Sequence, residues 1–194
     1  MPPPFDIPAL TVSGVLPPWV ADPRYGANMS PYQTSLVKVA NLFCSTGERR
    51  TIFSGLLRYR QALASIGLTA GFQWLSGSFL EDIETLETRP PHDVDVVTFF
   101  ERPTQHATDP QWRAFVTANM NLWIPAQTKN AYHCDAQYID LSFHARYIVD
   151  RTRFWFGLFS HRRNGIWKGM LQVPLAISQD DADASQLMSA AANS

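Results

Sequence analysis

Apolar positions in this chain change period several times, and each change marks an element. Leu36, Val39, Ala40 and Phe43 recur at helical spacing. Ser30-Pro31 upstream reads as an N-cap followed by a proline at the first helical position. A second helix is predicted over 47–66, with Ile52, Leu56, Leu57, Tyr59, Leu63 and Ile66 as its apolar stripe and Gly67 as its stop. The pattern then shortens into continuous apolar runs. Residues 72–75 and 93–100 read as strands. Between them Gly77-Ser78 opens a short helix, and Arg89-Pro90-Pro91 breaks the chain. Asp109-Pro110 caps another helix reaching to near Leu122, and a long β-prone run spans 131–143. Residues 154–159 and 166–175 flank Arg163-Asn164-Gly165 and predict a hairpin around an Asn-Gly turn.

The two ends read differently from the middle. Residues 1–28 are rich in proline and predict an extended arm, with Leu10, Val12, Val15, Leu16 and Trp19 to pack it on the domain. Residues 29–177 form the domain itself. Residues 178–194, rich in Ala, Asp, Ser and Gln, predict a loose tail. The order of helices and strands gives an α/β (α+β) class, a small mixed β-sheet backed by helices.

Bulk properties narrow the function classes. With 45% hydrophobic residues in 194, the chain can bury a sizeable core. A net charge of −1 gives no global attraction to nucleic acid or anionic membrane. No apolar run approaches the roughly 20 residues needed to span a bilayer. The first residues lack the charged and apolar regions of a signal peptide. Cys44 and Cys134 stand far apart, so a reduced, cytoplasmic setting is expected.

Candidate chemistry centres on Trp74-Leu75-Ser76-Gly77-Ser78-Phe79 and His92-Asp93-Val94-Asp95-Val96-Val97. Side chains at i and i+2 of a strand share a face, so Asp93 and Asp95 project together. Two carboxylates that close repel unless a cation sits between them, and Mg²⁺ prefers such hard oxygen ligands. A Gly-Ser turn after a neighbouring strand offers backbone N–H groups and a hydroxyl to phosphate. A third carboxylate belongs on the 131–143 run. Asp135 and Asp140 are the candidates, on opposite faces, with Asp135 favoured for its place near the start.

Gly77-Ser78 followed by Asp93-x-Asp95 resembles the signature of the nucleotidyltransferase fold, the DNA polymerase β-like superfamily, and most closely its minimal members. The resemblance covers about residues 70–144. The whole chain also resembles a bacterial family of nucleotidyltransferase-like proteins, through Pro8-Ala9-Leu10, the run Phe72 to Phe79 and the run Pro90 to Val97. Two departures stand out: a longer segment between Gly77 and Asp93, and His92 where many relatives carry serine.

The resemblance implies transfer of NMP from an NTP such as ATP to a hydroxyl of a protein, RNA or small-molecule acceptor. Asp93, Asp95 and Asp135 would hold Mg²⁺ (or Mn²⁺), while Gly77 and Ser78 orient the phosphates. Lys168, or Lys129, would meet the triphosphate, although a solvated surface lysine is the plainer reading of each. Toxin–antitoxin and phage-defence modules are the expected settings. The alternative is a non-catalytic module of this fold that binds a nucleotide or a partner protein. Among lesser candidates, Glu81, Asp82 and Glu84 read as an exposed first helical turn, and His161-Arg162-Arg163 as a small basic knuckle. Trp74, Trp123, Phe154, Trp155 and Trp167 read mostly as core, with one of them available to stack a base.

Overall fold

Helical and extended runs alternate along the chain in the computed structural model, which describes residues 6–192. In chain order they are β1 (Tyr32–Gln33), α1 (Leu36–Phe43), α2 (Gly47–Ser65), β2 (Gly71–Ser76), α3 (Ile83–Glu87), β3 (Val94–Phe100), α4 (Asp109–Ala118), α5 (Pro125–Tyr132), β4 (Cys134–Asp140), α6 (Ala145–Phe159), β5 (Leu171–Pro174) and α7 (Gln179–Ala192). The strands form one sheet in the order β1-β5-β2-β3-β4. β2 runs antiparallel to both β5 and β3, whereas β3 and β4 are parallel and joined across α4 and α5. The fold is therefore the mixed α+β sheet that the pattern predicts.

Both faces of the sheet are covered, which is why its strands read as continuous apolar runs. On one face Leu75, Val94, Val96, Phe100, Cys134, Ala136 and Leu171 pack with α1, α2, α4 and the C-terminal helix α7. On the other face Trp74, Val97, Phe99, Ile139 and Met170 pack under Trp155 and Phe159 of α6. Side-chain alternation thus splits β3 into two sets, and Asp93 and Asp95 fall in the set that faces α6.

Several expectations are corrected. Ser30-Pro31 does not start a helix. The bond is cis, β1 follows it, and Ser30 Oγ accepts from the Met170 amide at 2.7 Å. Ser35 caps α1 instead, its hydroxyl accepting from Lys38 N at 3.2 Å. The 131–143 run is not all strand, because α5 continues to Tyr132 and His133 turns the chain in the left-handed region. Residues 154–159 are the end of helix α6, not a hairpin arm. Ile148, Trp155, Phe156 and Phe159 recur at helical spacing and bury against the sheet. The Asn164-Gly165 turn does form, with Arg162 N donating to Ile166 O at 2.8 Å, but only the single bridge His161–Trp167 extends it.

The C-terminal segment is not loose within the described residues. Asp180 caps α1, accepting from Leu36 N at 2.6 Å and Val37 N at 3.1 Å. Asp181 pairs with the fully buried Arg60 at 2.7 Å. Arg60 also donates to Gln73 Oε1 at 2.8 Å and Pro174 O at 2.9 Å, so α2, β2, β5 and α7 share one guanidinium. The N-terminal arm packs at Val15 and Leu16, as expected, whereas Val12 and Trp19 face solvent. The first five residues of the arm and the last two of the tail lie outside the described residues. Among the described residues no helix is long and apolar enough to cross a membrane.

Candidate functional site

Strand register gathers the acidic residues. Asp95 lies opposite Ser76 of antiparallel β2 and opposite Asp135 of parallel β4. Asp93 precedes Asp95 by two positions, so all three carboxylates project from the α6 side at one end of the sheet. Asp140 has the other parity. It is bound to Arg102 at 2.6 Å on the opposite face, beneath Trp112. Of the two candidates for the third carboxylate, the structure brings Asp135 to the others and not Asp140.

The turn after β2 is shaped around Asp95. Gly77 has φ +88°, and a Cβ there would lie 2.7 Å from Asp95 Oδ2. Only glycine permits this conformation and this approach together. Ser78 follows in a short 3₁₀ turn, Ser78–Leu80, and lines the same cleft. Arg49 of α2 holds the turn from beneath. Its guanidinium donates to Phe79 O at 2.7 Å and Glu81 O at 2.6 Å, and grips Glu84 through two bonds of 2.6 Å. That pair holds the Glu84 carboxyl below its ordinary pKa.

Lys129 reaches in from α5. Its Nζ lies 2.5 Å from Asp93 Oδ2 and 3.6 Å from Asp135 Oδ2, so those two oxygens are no farther apart than the two distances together. The base of α5 is fixed. Thr128 Oγ1 donates to Cys134 O at 2.9 Å. At Gly55 of α2 an added Cβ would meet Tyr132 O at 2.1 Å, so the absent side chain lets the end of α5 press against α2.

Lys168 also lies in the cleft, but it is 7% exposed and donates to Glu81 Oε1 at 2.6 Å. It is therefore not a solvated surface lysine. Glu81, read from sequence as exposed, is buried, because Lys168 and Arg162 both bind it, Arg162 at 3.0 Å. Arg162 also pairs with Glu87, which leaves Arg163 as the outward member of the knuckle. The cleft encloses about 1040 Å³ between the carboxylates, the Gly77–Ser78 turn and the C-terminal end of α6. Of the five aromatic candidates Trp155 lines it, beside Phe159, whereas Trp74 donates to Gln172 inside the fold. None of the described arm residues lines the cleft.

Burial, followed by repulsion from Asp93, pushes the Asp95 carboxyl up to about 6, with Asp135 adding to the rise and Lys168 and Lys129 opposing it. The bond to Asp93 raises Lys129 above its ordinary value. The donor set is three carboxylates, the hard oxygen chemistry that Mg²⁺ takes. Among the described residues no three His, Cys, Asp or Glu side chains stand as a ready-made ion cage. A cation would fit the set by taking the position that the Lys129 ammonium holds.

Sequence reasoning missed Arg49 and the burial of Glu81. An arginine two residues from the N-terminal end of an amphipathic helix gives no signal of what it binds across 30 residues. The weak cue was a charged residue on the same side as Ile52 and Phe53.

A family model described as a family of unknown function (DUF6932) matches residues 8–174. That span includes every residue of the cleft and excludes α7. No curated protein and no solved structure matches the chain.

Proposed function

Starting from a chain that belongs to this family of unknown function (DUF6932), we propose that it is a metal-dependent nucleotidyltransferase, transferring NMP from an NTP to a hydroxyl of a protein, RNA or small-molecule acceptor, with the α–β phosphoanhydride bond broken and pyrophosphate released. The observation that carries this reading is the row Ser76, Asp95, Asp135 across three strands, with Asp93 beside it and the Gly77–Ser78 turn at its end. Asp93, Asp95 and Asp135 would hold Mg²⁺ or Mn²⁺. When bound, the metal would neutralise charge on the phosphates and lower the pKa of the acceptor hydroxyl. Asp135, the most open of the three, receives the acceptor proton on a carboxylate oxygen. Ser78 and the backbone of its turn orient the phosphates. Trp155 and Phe159 form the apolar wall of the cleft on the α6 side.

The open cleft, which none of the described arm residues lines, supports an NTP substrate. A module in toxin–antitoxin or phage-defence systems is the setting we propose. The test is Mg²⁺-dependent incorporation from α-labelled ATP, GTP, CTP and UTP in a cell lysate, with Asp93→Ala/Asp95→Ala as control. Label in RNA or protein only with intact aspartates is the expected result.

One observation favours a second reading. Lys129 already places a cation between Asp93 and Asp135, as expected of a non-catalytic module that binds a nucleotide or partner protein without metal. Nucleotide binding unaffected by chelation, with no label transferred by any NTP, would decide for it.

A further inference from the structure

We propose that Lys129 is a displaceable internal counter-ion that holds the cation position between Asp93 and Asp135 and sets the metal concentration at which the site loads. The inference rests on the metal-dependent reading above. Lys129 Nζ contacts both carboxylates, at 2.5 Å and 3.6 Å, while Asp95 stands between them in sequence and register. An ammonium and a divalent cation compete for the position between those oxygens, since two cations held that close repel each other. The lysine is built to leave. Its side chain is half exposed, with water available along its stem, whereas Lys168 is buried on Glu81 and cannot take its place. The anchors of α5, Thr128 on Cys134 O and Tyr132 against Gly55, hold the helix still, so exchange needs only the rotation of one flexible side chain.

Without Lys129, Asp93 and Asp135 lose the ammonium between them, and only the charge of Lys168, held on Glu81, still acts on Asp95. The apo protein then loses stability, and the same site takes a cation more readily. A merely structural surface lysine predicts the first effect weakly and the second not at all.

The experiment is Mn²⁺ binding followed by electron paramagnetic resonance, with thermal unfolding in parallel, on the full chain without nucleotide. Lys129→Gln should bind Mn²⁺ about tenfold more tightly than the unsubstituted protein. Its apo form should melt lower and gain more on adding Mn²⁺. Lys129→Arg, which keeps the charge, should stay close to the unsubstituted protein. Asp95→Asn serves as the control that identifies the site. If Asp95→Asn abolishes Mn²⁺ binding while Lys129→Gln leaves it unchanged or weaker, the counter-ion role is overturned and the metal site stands. If Mn²⁺ binds none of the four proteins at millimolar concentration, both this inference and the metal-dependent reading fall.

Discussion

Asp95 and Asp135 occupy the same register position on two parallel strands, with Ser76 opposite Asp95 on its other side. Parallel register fixes this meeting through seven paired positions, so the two acids cannot drift apart without breaking the ladder that joins β3 to the edge strand β4. Asp135→Asn should therefore abolish nucleotidyl transfer while changing stability by less than about 1 kcal/mol, because its side chain is partly exposed and Asn keeps its shape. Asp140→Asn should instead lower stability by roughly 1.5–3 kcal/mol, because Arg102 loses the inner of its two carboxylate partners and keeps only the exposed Asp109. Incorporation assays and urea unfolding on the same two variants separate the roles.

Asp95 gives the protein a defined pH dependence. Its folded pKa of about 6 lies above the ordinary 3.8. A carboxyl raised in this way contributes stability that is fully present below the unfolded value and is lost as pH rises through the folded one. Metal-free Asp95→Asn should be the more stable protein near pH 8, by roughly 1–2 kcal/mol once partial exposure is allowed for. The advantage should vanish near pH 4. Urea denaturation in chelator across that range measures it, and equal slopes for both proteins would refute it.

Gly77→Ala tests the fit of the turn. A methyl group 2.7 Å from Asp95 Oδ2, on a residue at φ +88°, must move the carboxylate or the turn. The expected cost is about 1–3 kcal/mol, with activity and Mn²⁺ affinity falling together. Retention of full Mn²⁺ affinity would show that Asp95 does not need the glycine.

Arg49→Met removes the clamp under that turn. Phe79 O and Glu81 O lose their donor inside the fold, at a cost of roughly 2–4 kcal/mol. Arg49→Lys should not restore it, since one ammonium cannot reproduce the two-pronged grip on Glu84 together with both carbonyls. Thermal melts of the two variants check this.

Deleting residues 179–194 should destabilise the chain strongly. Arg60 would keep its charge inside the core without Asp181, a loss of roughly 3–5 kcal/mol, and α1 would lose its Asp180 cap. Arg60→Met combined with the deletion should recover part of the loss. Unfolding midpoints of the three proteins measure the coupling.

Local pattern determined much of this protein. Strong periodicity marks α2, and apolar runs bounded by Gly77-Ser78 and Pro90-Pro91 mark β2 and β3, because burial on both sheet faces demands continuous apolar sequence. Strand parity alone puts Asp93 and Asp95 on one face and separates Asp135 from Asp140. Where the sequence misled, the deciding contacts were distant. Aromatic residues 154–159 suit a strand or a helix equally until the sheet beneath α6 takes their helical stripe. Polar residues 179–192 look unstructured until Asp180 and Asp181 meet α1 and Arg60, and Glu81 looks solvated until Lys168 and Arg162 arrive from 80 residues away. Periodicity records which side of an element is buried. It does not record which charge waits on the far side of a fold, and here Coulomb pairs between remote segments, Lys129 with Asp93 among them, decided the site.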